Sequence, residues 1–219
     1  CNKCLRNYGN DFNAYDISLW RNEHLSVLKE AKSIVVPDID VKNRLGRYFP
    51  DLEFEVQPHE LVLVEKPEIT PETDRVKCVV IGAISDMKGY NILLETAKYA
   101  YKRKLNIDFI VMGYTKNDAE LKKYGVEITG KYQDCEALSK LVLLEPDVVW
   151  FPATWPETYS YTLSIALKSK RPIIAFDIGA IPSRLRQYGV NNWIIPFSDH
   201  NKTGKLVKYI INFREFSDI

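Results

Sequence analysis

Residues 76–101 read VKCVVIGAISDMKGYNILLETAKYAY, and their pattern of apolar side chains is the strongest indication of the fold class in this sequence. A nearly continuous apolar run over 76–83 is typical of a parallel strand that is buried on both faces. The residues over 88–101 instead repeat at helical spacing, with small or apolar side chains along one side at Ile92, Leu93, Thr96, Ala97 and Ala100. A buried strand followed at once by a helix is the first half of a βαβ unit.

The same alternation continues toward the end of the chain. Further strands are predicted at 107–112, 126–128, 147–151, 172–176 and 193–195, and further helices at 117–124, 135–144, 161–169, 183–188 and 203–213. Alternating strands and helices predict an α/β fold with a doubly wound, Rossmann-like parallel sheet. Ligands of such sheets bind beyond the carboxyl ends of the strands, so the loops of interest follow Ala83, Met112, Phe151 and Phe176.

A less regular first segment precedes this pattern. The polar residues 1–12 are typical of a loop, and the apolar spacing over 13–32 predicts a helix. Short strands are predicted at 33–37 and 54–56, and Asp38 is placed to cap a helix between them.

A linker is predicted after the first segment, which ends at residue 62. Residues 63–74 hold Pro67 and Pro71 among Glu and Thr residues, a composition typical of connecting segments. The main domain then covers 75–219.

Composition and charge narrow the classes of function. The chain has 219 residues, of which 46% are hydrophobic and 27% charged, as is ordinary for a soluble globular protein. A net charge of +1 argues against broad binding to nucleic acid or anionic membranes. No apolar run reaches the roughly 18 residues that suggest a membrane span, and no signal-peptide pattern occurs. The chain begins with Cys1 and not with Met, so we expect a piece of a longer protein.

The four cysteines do not form a disulfide framework. Cys78 and Cys135 lie in predicted elements and are interpreted as buried or incidental thiols. Cys1 and Cys4 have the spacing of half a metal site or a redox pair, and the alternative is a remnant whose partners lie upstream. Nothing indicates a secreted scaffold, so the predicted location is the cytoplasm.

The loop over 82–89 carries a glycine and a lysine at its two ends. It lacks the G-x-G-x-x-G spacing of the dinucleotide fingerprint and the G-x-x-x-x-G-K-[ST] run of a P-loop. Gly82 stands at the strand exit, and Lys88 stands at the start of the next helix. An ammonium group beside helix amides makes a compact anion site, and the alternative is a solvated surface lysine.

Gly113 and Tyr114 follow the next predicted strand. A glycine there lets a ligand approach the backbone closely, and an ordinary turn is the alternative.

Residues 151–167, FPATWPETYSYTLSIAL, are the most informative loop. Glu157 precedes a helix whose first turn is rich in hydroxyl groups, and the amides of such a turn favour a bound anion. Glu157 could accept hydrogen bonds from a sugar hydroxyl; the alternative is a carboxylate placed for the helix dipole. For Thr158 and Ser160 the alternative role is that of a plain N-cap.

Together these segments resemble the C-terminal domain of the family-4 glycosyltransferases, which have the two-domain GT-B fold. The resemblance rests on Gly82, on the Lys88-Gly89 pair, on an E-x7-E motif that begins at Glu157, and on the Gly-containing turn at 177–182. It covers roughly residues 75–200. The sequence of 155–163, WPETYSYTL, is similar to the sequences of a bacterial subgroup of these enzymes, which builds O-antigen and related surface polysaccharides. Residues 13–62 look like the end of the family's N-terminal domain, so 1–62 are expected to be a remnant of that acceptor domain.

The resemblance implies site residues and a reaction. Lys88 and Glu157 are the implied catalytic residues, and the implied donor-binding residues are Gly82, Gly89, Gly113, Tyr114, Thr158, Tyr159, Ser160 and Tyr161. The reaction is transfer from a nucleoside-diphosphate sugar to a glycan or lipid-linked acceptor, with retention at the anomeric carbon and with no metal or cofactor. For the full-length protein, the expectations include a role in lipopolysaccharide biosynthesis and peripheral association with the inner membrane. This fragment alone is expected to be inactive.

Two positions depart from the family pattern. The second carboxylate of E-x7-E, which holds the ribose, falls on Ile165, and the Arg that usually follows the strand-exit Gly falls on Ala83. Either the site is rebuilt, with Tyr161 or Lys116, or this copy binds donor weakly or not at all. The alternatives to a transferase are a degenerate, non-catalytic scaffold domain in a glycan-assembly protein and a nucleotide-sugar epimerase, which shares the fold.

Overall fold

A computed structural model of the protein describes residues 2–8, 16–190 and 193–216. The chain divides into two compact units, Cys1–His59 and Glu60–Ile219. The boundary therefore lies slightly before the predicted end of the first segment at residue 62. Residues 63–74, all of which are described, contain neither helix nor strand.

The first unit contains three helices and two short strands among its described residues: α1 (Asn2–Tyr8), α2 (Ile17–Lys29), β1 (Val35–Val36), α3 (Ile39–Gly46) and β2 (Glu55–Val56). The two strands pair in parallel, and Val36, Phe49 and Phe54 form a small buried core. Asp38 caps α3 as predicted, since its carboxylate accepts a hydrogen bond from the backbone N–H of Asp40 at 2.7 Å.

Helix α1 corrects the prediction of a loop over 1–12. The side chain of Asn2 accepts a hydrogen bond from the N–H of Ile17 at 2.9 Å and donates one to the carboxylate of Asp16 at 2.8 Å. Such bonds between distant residues stabilise the segment but leave no periodic apolar pattern in the sequence. Residues 9–15, Cys1 and the side chain of Cys4 lie outside the described part of the chain, so the interpretation of the Cys1/Cys4 pair stays a prediction.

The second unit is a six-stranded parallel sheet with helices between its strands. The strands are β3 (Val76–Ile84), β4 (Ile107–Thr115), β5 (Glu127–Ile128), β6 (Val148–Phe151), β7 (Ile173–Phe176) and β8 (Ile194–Ile195). The helices are α4 (Tyr90–Lys102), α5 (Asp118–Lys122), α6 (Ala137–Leu143), α7 (Tyr161–Lys168), α8 (Ala180–Gln187) and α9 (Thr203–Ile211). This arrangement confirms the predicted doubly wound α/β fold.

The strand order is β5-β4-β3-β6-β7-β8. The chain builds the sheet outward from β3 to β5, then returns to the other side of β3 and continues from β6 to β8. The switch point therefore lies between β3 and β6, and the loops after these two strands open at the same place.

Strand β4 is longer than predicted. It continues to Thr115 in register with β3, so that Gly113 lies opposite Gly82 and Thr115 opposite Ile84. Gly113 and Tyr114 are therefore strand residues, which corrects the prediction of a loop after Met112. A glycine inside an apolar run interrupts the sequence pattern of a strand without ending the strand.

A buried carboxylate attaches the linker to the sheet. Asp147 accepts hydrogen bonds from the N–H of Lys77 at 2.8 Å, from the guanidinium of Arg214 at 3.0 Å and from the hydroxyl of Thr70. These contacts explain why 63–74 belong to the second unit. Nearby, Cys78 is buried as predicted, and burial, with a smaller contribution from Asp147, raises the pKa of its thiol. Cys135, in contrast, is exposed.

Across the described parts of the chain, no helix has both the length and the apolar character needed to cross a bilayer.

Candidate functional site

The two predicted catalytic side chains meet at the switch point. Nζ of Lys88 lies 3.9 Å from Oε1 of Glu157, with side-chain exposures of 40% and 13%. Lys88 comes from the loop after β3 and Glu157 from the loop after β6, and these two strands are neighbours in the sheet. The sheet topology therefore brings together two residues that are far apart in the sequence.

The loop that carries Glu157 is attached at both of its ends. The N–H of Thr154 donates to the carbonyl of Met87 at 3.0 Å, and the N–H of Ala180 donates to the carbonyl of Glu157 at 2.8 Å. One bond joins the loop to the Lys88 segment and the other joins it to the start of α8. The carboxylate of Glu157 is thus presented by a fixed backbone, although the loop has no regular structure.

Gly89 allows the two loops to approach each other. It is the N-cap of α4 with φ +88°, and a Cβ at this position would lie 2.1 Å from the carbonyl oxygen of Pro152. Any side chain there would separate the loop after β6 from the start of α4. Helix α4 consequently begins at Tyr90, after the predicted start at Lys88.

Gly82 and Gly113 lie side by side at the carboxyl ends of β3 and β4. A Cβ on Gly113, where φ is +135°, would lie 2.1 Å from the carbonyl oxygen of Gly82. Glycine at position 113 is therefore required by the close approach of the two strand backbones, two residues before β3 and β4 end.

The start of α7 is not capped by a side chain. Ser160 occupies the N-cap position, but its side chain makes no capping bond to the helix and instead shares a hydrogen bond of 3.2 Å with the hydroxyl of Thr162. The simple capping role considered for Ser160 is therefore not observed. Thr158 is exposed just ahead of this turn. The N–H of Leu163 donates to the carbonyl of Ser160 at 3.1 Å. The first two amides of a helix have no intrahelical acceptor, so this end of α7 favours negative charge.

Tyr159 and Tyr161 differ in accessibility. Tyr159 is only 2% exposed, and its hydroxyl donates to the carbonyl of Glu60 at 3.1 Å and accepts from the N–H of Glu60 at 3.3 Å. Its side chain therefore joins the loop before α7 to the backbone of Glu60 and is too buried to contact a ligand. This corrects the prediction of Tyr159 as a donor-binding side chain. Tyr161 is exposed in the first turn of α7 and stays in the candidate set.

Tyr114 is exposed at the end of β4, and a lysine that sequence reasoning missed lies over it. Nζ of Lys131 is 5.3 Å from the centre of the Tyr114 ring, a cation–π contact. Lys131 follows the short strand β5, and the sequence pattern predicts ligand-binding loops only after four other strands. Lys116, considered as a replacement cation, forms an ion pair with Asp86 at 2.5 Å.

The two departures from the family pattern have different surroundings. Ile165 is partly buried and packs against the main hydrophobic core, whereas Ala83 is exposed. Neither offers a charged group to a ligand.

Arg184 in α8 is a second residue that sequence reasoning missed. Its guanidinium is 2% exposed and donates hydrogen bonds to the carbonyls of Tyr159 and Ser160, each at 3.0 Å, and to Oγ of Ser164 at 2.8 Å. The signal in the sequence was an arginine inside a helix whose neighbours Ile181 and Leu185 have core spacing.

One pair of carboxylates in the first unit has the Asp-x-Asp spacing of some metal sites. Asp38, however, caps α3 through the N–H of Asp40, and Asp40 pairs with Arg44 at 2.6 Å. Among the described residues, no group of three or more His, Cys, Asp or Glu side chains could hold a metal ion.

The fold and the site together define a class of protein. A doubly wound parallel sheet whose loops meet at a switch point is a fold of Rossmann type, in which ligands bind beyond the carboxyl ends of the strands. Residues 75–212 match the family described as glycosyl transferases group 1, and the chain belongs to that family.

Solved structures show the same fold. A mutant of TarM from S. aureus, in complex with Fondaparinux, alpha-GlcNAc-glycerol and UDP, has 17% identity and a TM-score of 0.68 over 96% of this chain and 42% of that one. The pneumococcal O-GlcNAc transferase GtfA, in complex with UDP and GlcNAc, has 14% identity and a TM-score of 0.63 over 91% and 43%. The lipopolysaccharide outer core galactosyltransferase WaaB has 13% identity and a TM-score of 0.63 over 83% and 54%.

These similarities establish the Rossmann-like, C-terminal type of GT-B domain for the second unit. The chain spans only between 42% and 54% of the lengths of the three structures. Comparison with curated protein sequences gives no match.

Proposed function

We propose that the second unit binds a nucleoside-diphosphate sugar and that the whole protein is a retaining, metal-independent glycosyltransferase of bacterial surface polysaccharide synthesis. The observation that carries the proposal is the meeting of Lys88 and Glu157 at the switch point, with Nζ and Oε1 3.9 Å apart. The family of the chain and the presence of UDP in two of the similar structures support a nucleotide-sugar donor.

Lys88 is assigned to the leaving diphosphate. In sugar transfer the bond from the anomeric carbon to the diphosphate oxygen breaks, and negative charge grows on that oxygen. The ammonium group of Lys88 and the first-turn amides of α7 would stabilise this charge. Loss of one such preorganised contact typically costs about 2.7–4 kcal/mol of transition-state stabilisation.

Glu157 is assigned to the sugar. The carboxylate of Glu157 is only 13% exposed, and the backbone of this residue is fixed by a hydrogen bond to α8. It can therefore accept hydrogen bonds from sugar hydroxyls without first losing a full hydration shell. Its contribution would be to hold the anomeric carbon within reach of the acceptor hydroxyl, on the face from which the diphosphate leaves.

The acceptor is assigned to the N-terminal domain of the GT-B fold, of which residues 1–62 are proposed to be a part. A glycan or a lipid-linked sugar fits a role in surface polysaccharide synthesis, and the similarity to WaaB, a lipopolysaccharide outer core galactosyltransferase, supports that choice. Cytoplasmic location and peripheral contact of the full-length protein with the inner membrane belong to the same proposal.

A non-catalytic scaffold is the second candidate function. Ile165 and Ala83 favour it, because they replace one carboxylate and one cation of the family pattern with apolar side chains. Calorimetric titration of the 219-residue chain with UDP, GDP and ADP separates the two functions. A transferase binds at least one of them, whereas a scaffold gives no heat of binding with any.

Turnover is then measured with the nucleotide sugar of the preferred base and a glycan acceptor, in parallel for the full-length protein and for this chain. We expect product only from the full-length protein. Product from this chain alone would contradict the assignment of the acceptor to the N-terminal domain.

A further inference from the structure

Arg184 is a buried cation that the proposed chemistry does not use. It lies in α8, its guanidinium is 2% exposed, and its planar face lies 3.9 Å from the centre of the Tyr159 ring. A buried guanidinium is costly unless its N–H groups find acceptors. The positions of the hydrogen-bond acceptors of Arg184 therefore show which part of the chain this side chain stabilises.

The three hydrogen-bond acceptors of Arg184 described above belong to the turn that leads into α7 or to α7 itself. Nη1 donates to the carbonyls of Tyr159 and Ser160, each at 3.0 Å, and Nη2 donates to Oγ of Ser164 at 2.8 Å. One rigid side chain thus fixes two successive peptide units and the second turn of the helix.

The turn that Arg184 holds is one that the chain disfavours. Ser160 has φ +70° and ψ +90°, in a region that residues with a Cβ rarely occupy. The carbonyl of Ser160 accepts from Arg184 and from the N–H of Leu163 at 3.1 Å. Since Ser160 sets the direction in which α7 begins, the geometry of its peptide decides where the first-turn amides point.

A second polar contact extends the same network. Lys168, the last residue of α7, lies 3.3 Å from the carboxylate of Glu60. Burial alone would raise the pKa of Glu60, but hydrogen bonding from Ser164 and Lys168 outweighs it, so the pKa lies below its usual value. Helix α7 is thus held by Arg184 near its start and by Glu60 at its end.

We infer that Arg184 is a positioning residue for donor binding: it fixes the Tyr159–Ser160 turn so that the first-turn amides of α7 face the diphosphate. This inference rests on the proposed function, and it concerns a side chain that is too buried to touch the ligand itself. Arg186, on the same helix, supplies a matched control because it forms an exposed ion pair with Asp177 at 2.7 Å.

The test compares Arg184→Lys and Arg184→Met with Arg186→Met in the 219-residue chain. The first measurement is hydrogen exchange of the amides over 160–164, which needs no ligand. The second is calorimetric affinity for UDP and for UMP, which differ by the phosphate group that the proposal concerns. Thermal unfolding of each variant shows whether it is folded.

We expect Arg184→Met to speed exchange over 160–164 and to weaken UDP binding by about tenfold or more, the scale of a lost charged hydrogen bond. UMP binding should fall less, Arg184→Lys should be intermediate, and Arg186→Met should behave as the parent chain. Unchanged exchange over 160–164 in a folded variant would overturn the inference, and so would an equal loss for UDP and UMP. If Arg184→Met does not fold, Arg184→Lys decides by the same criteria. If the parent chain binds none of UDP, GDP and ADP, it is the proposed function that fails, and the exchange data still decide whether Arg184 holds the turn.

Discussion

The ammonium nitrogen of Lys88 lies 3.9 Å from Oε1 of Glu157, across the switch point of the sheet. This separation is too long for a direct hydrogen bond, and Lys88 keeps 40% of its side chain exposed. A partly exposed ion pair of this kind contributes about 0–1 kcal/mol to stability. Removing either partner should therefore change ligand binding far more than folding.

If the proposed function holds, replacing Lys88 by alanine should abolish most of the transfer activity of the full-length protein. If the ammonium stabilises the leaving diphosphate, its loss lowers kcat by about 10²–10³-fold. The thermal midpoint should change little. Lys98→Ala is the control, because Lys98 is on the following helix and also pairs with a glutamate, Glu95, at 3.2 Å. Equal activities for Lys88→Ala and Lys98→Ala would remove Lys88 from the mechanism.

Glu157→Gln should distinguish between the two halves of the donor. If Glu157 binds the sugar, the substitution weakens binding of the nucleotide sugar by about tenfold, the value of a hydrogen bond to a charged group, and leaves binding of the nucleoside diphosphate unchanged. The measurement is a pair of titrations with the same base, with and without the sugar. Glu120→Gln, which breaks the ion pair between Glu120 in α5 and Lys123 just after that helix, is the control. A loss of affinity for both ligands would show that Glu157 acts on the nucleoside diphosphate that they share, and not on the sugar.

Much of the fold could be predicted from the sequence, because the apolar runs of buried parallel strands are local patterns. The run over 76–83 and the helical spacing after it gave β3 and α4 to within a few residues. The prediction was less accurate where glycine interrupts a strand, as at Gly113. It failed where distant side chains stabilise a segment, as Asn2 does for α1.

The candidate site was predictable to the extent that it depends on topology. The meeting of Lys88 and Glu157 follows from the rule that neighbouring parallel strands end at the same edge. The burial of Tyr159 and the contacts of Arg184 did not follow, because both depend on which face of a loop or helix turns inward. A tyrosine in a polar loop and an arginine in a helix are usually exposed, and only three-dimensional packing shows that these two are not.

Asp199 should give the second unit a measurable dependence of stability on pH. Its carboxylate is buried and accepts hydrogen bonds from Lys202 at 2.6 Å, Lys205 at 3.0 Å and the hydroxyl of Tyr209 at 2.9 Å. The hydrogen bonds from Lys202 and Lys205 hold the pKa of Asp199 far below its usual value. The folded state therefore binds this proton less readily than the unfolded state does. The resulting stabilisation is fully present above the unfolded pKa of about 3.9 and is lost as the pH falls below it.

Asp199→Asn is accordingly expected to lower the thermal midpoint at neutral pH, and the difference from the parent chain should narrow progressively below about pH 4. Thermal unfolding followed by circular dichroism from pH 7 to pH 3 gives the curve. Asp177→Asn, which removes the exposed partner of Arg186, is the control and should have a small effect at every pH. A difference that stays constant down to pH 3 would show that Asp199 acts only through packing.

The protein should be more stable with glycine at position 160 than with a β-branched residue there. Its φ of +70° places the backbone where a Cβ costs about 1–3 kcal/mol, and the carbonyl contacts of Arg184 maintain it there. Glycine removes that strain and loses the 3.2 Å contact with Thr162, whereas valine keeps the strain and adds a second branch at a buried position. We expect Ser160→Gly to be at least as stable as the parent chain in urea unfolding, Ser160→Ala to be slightly less stable because it loses only the hydroxyl, and Ser160→Val to be the least stable. A higher stability of Ser160→Val than of Ser160→Gly would mean that the turn relaxes to negative φ, and donor binding by that variant should then fall because the start of α7 has moved.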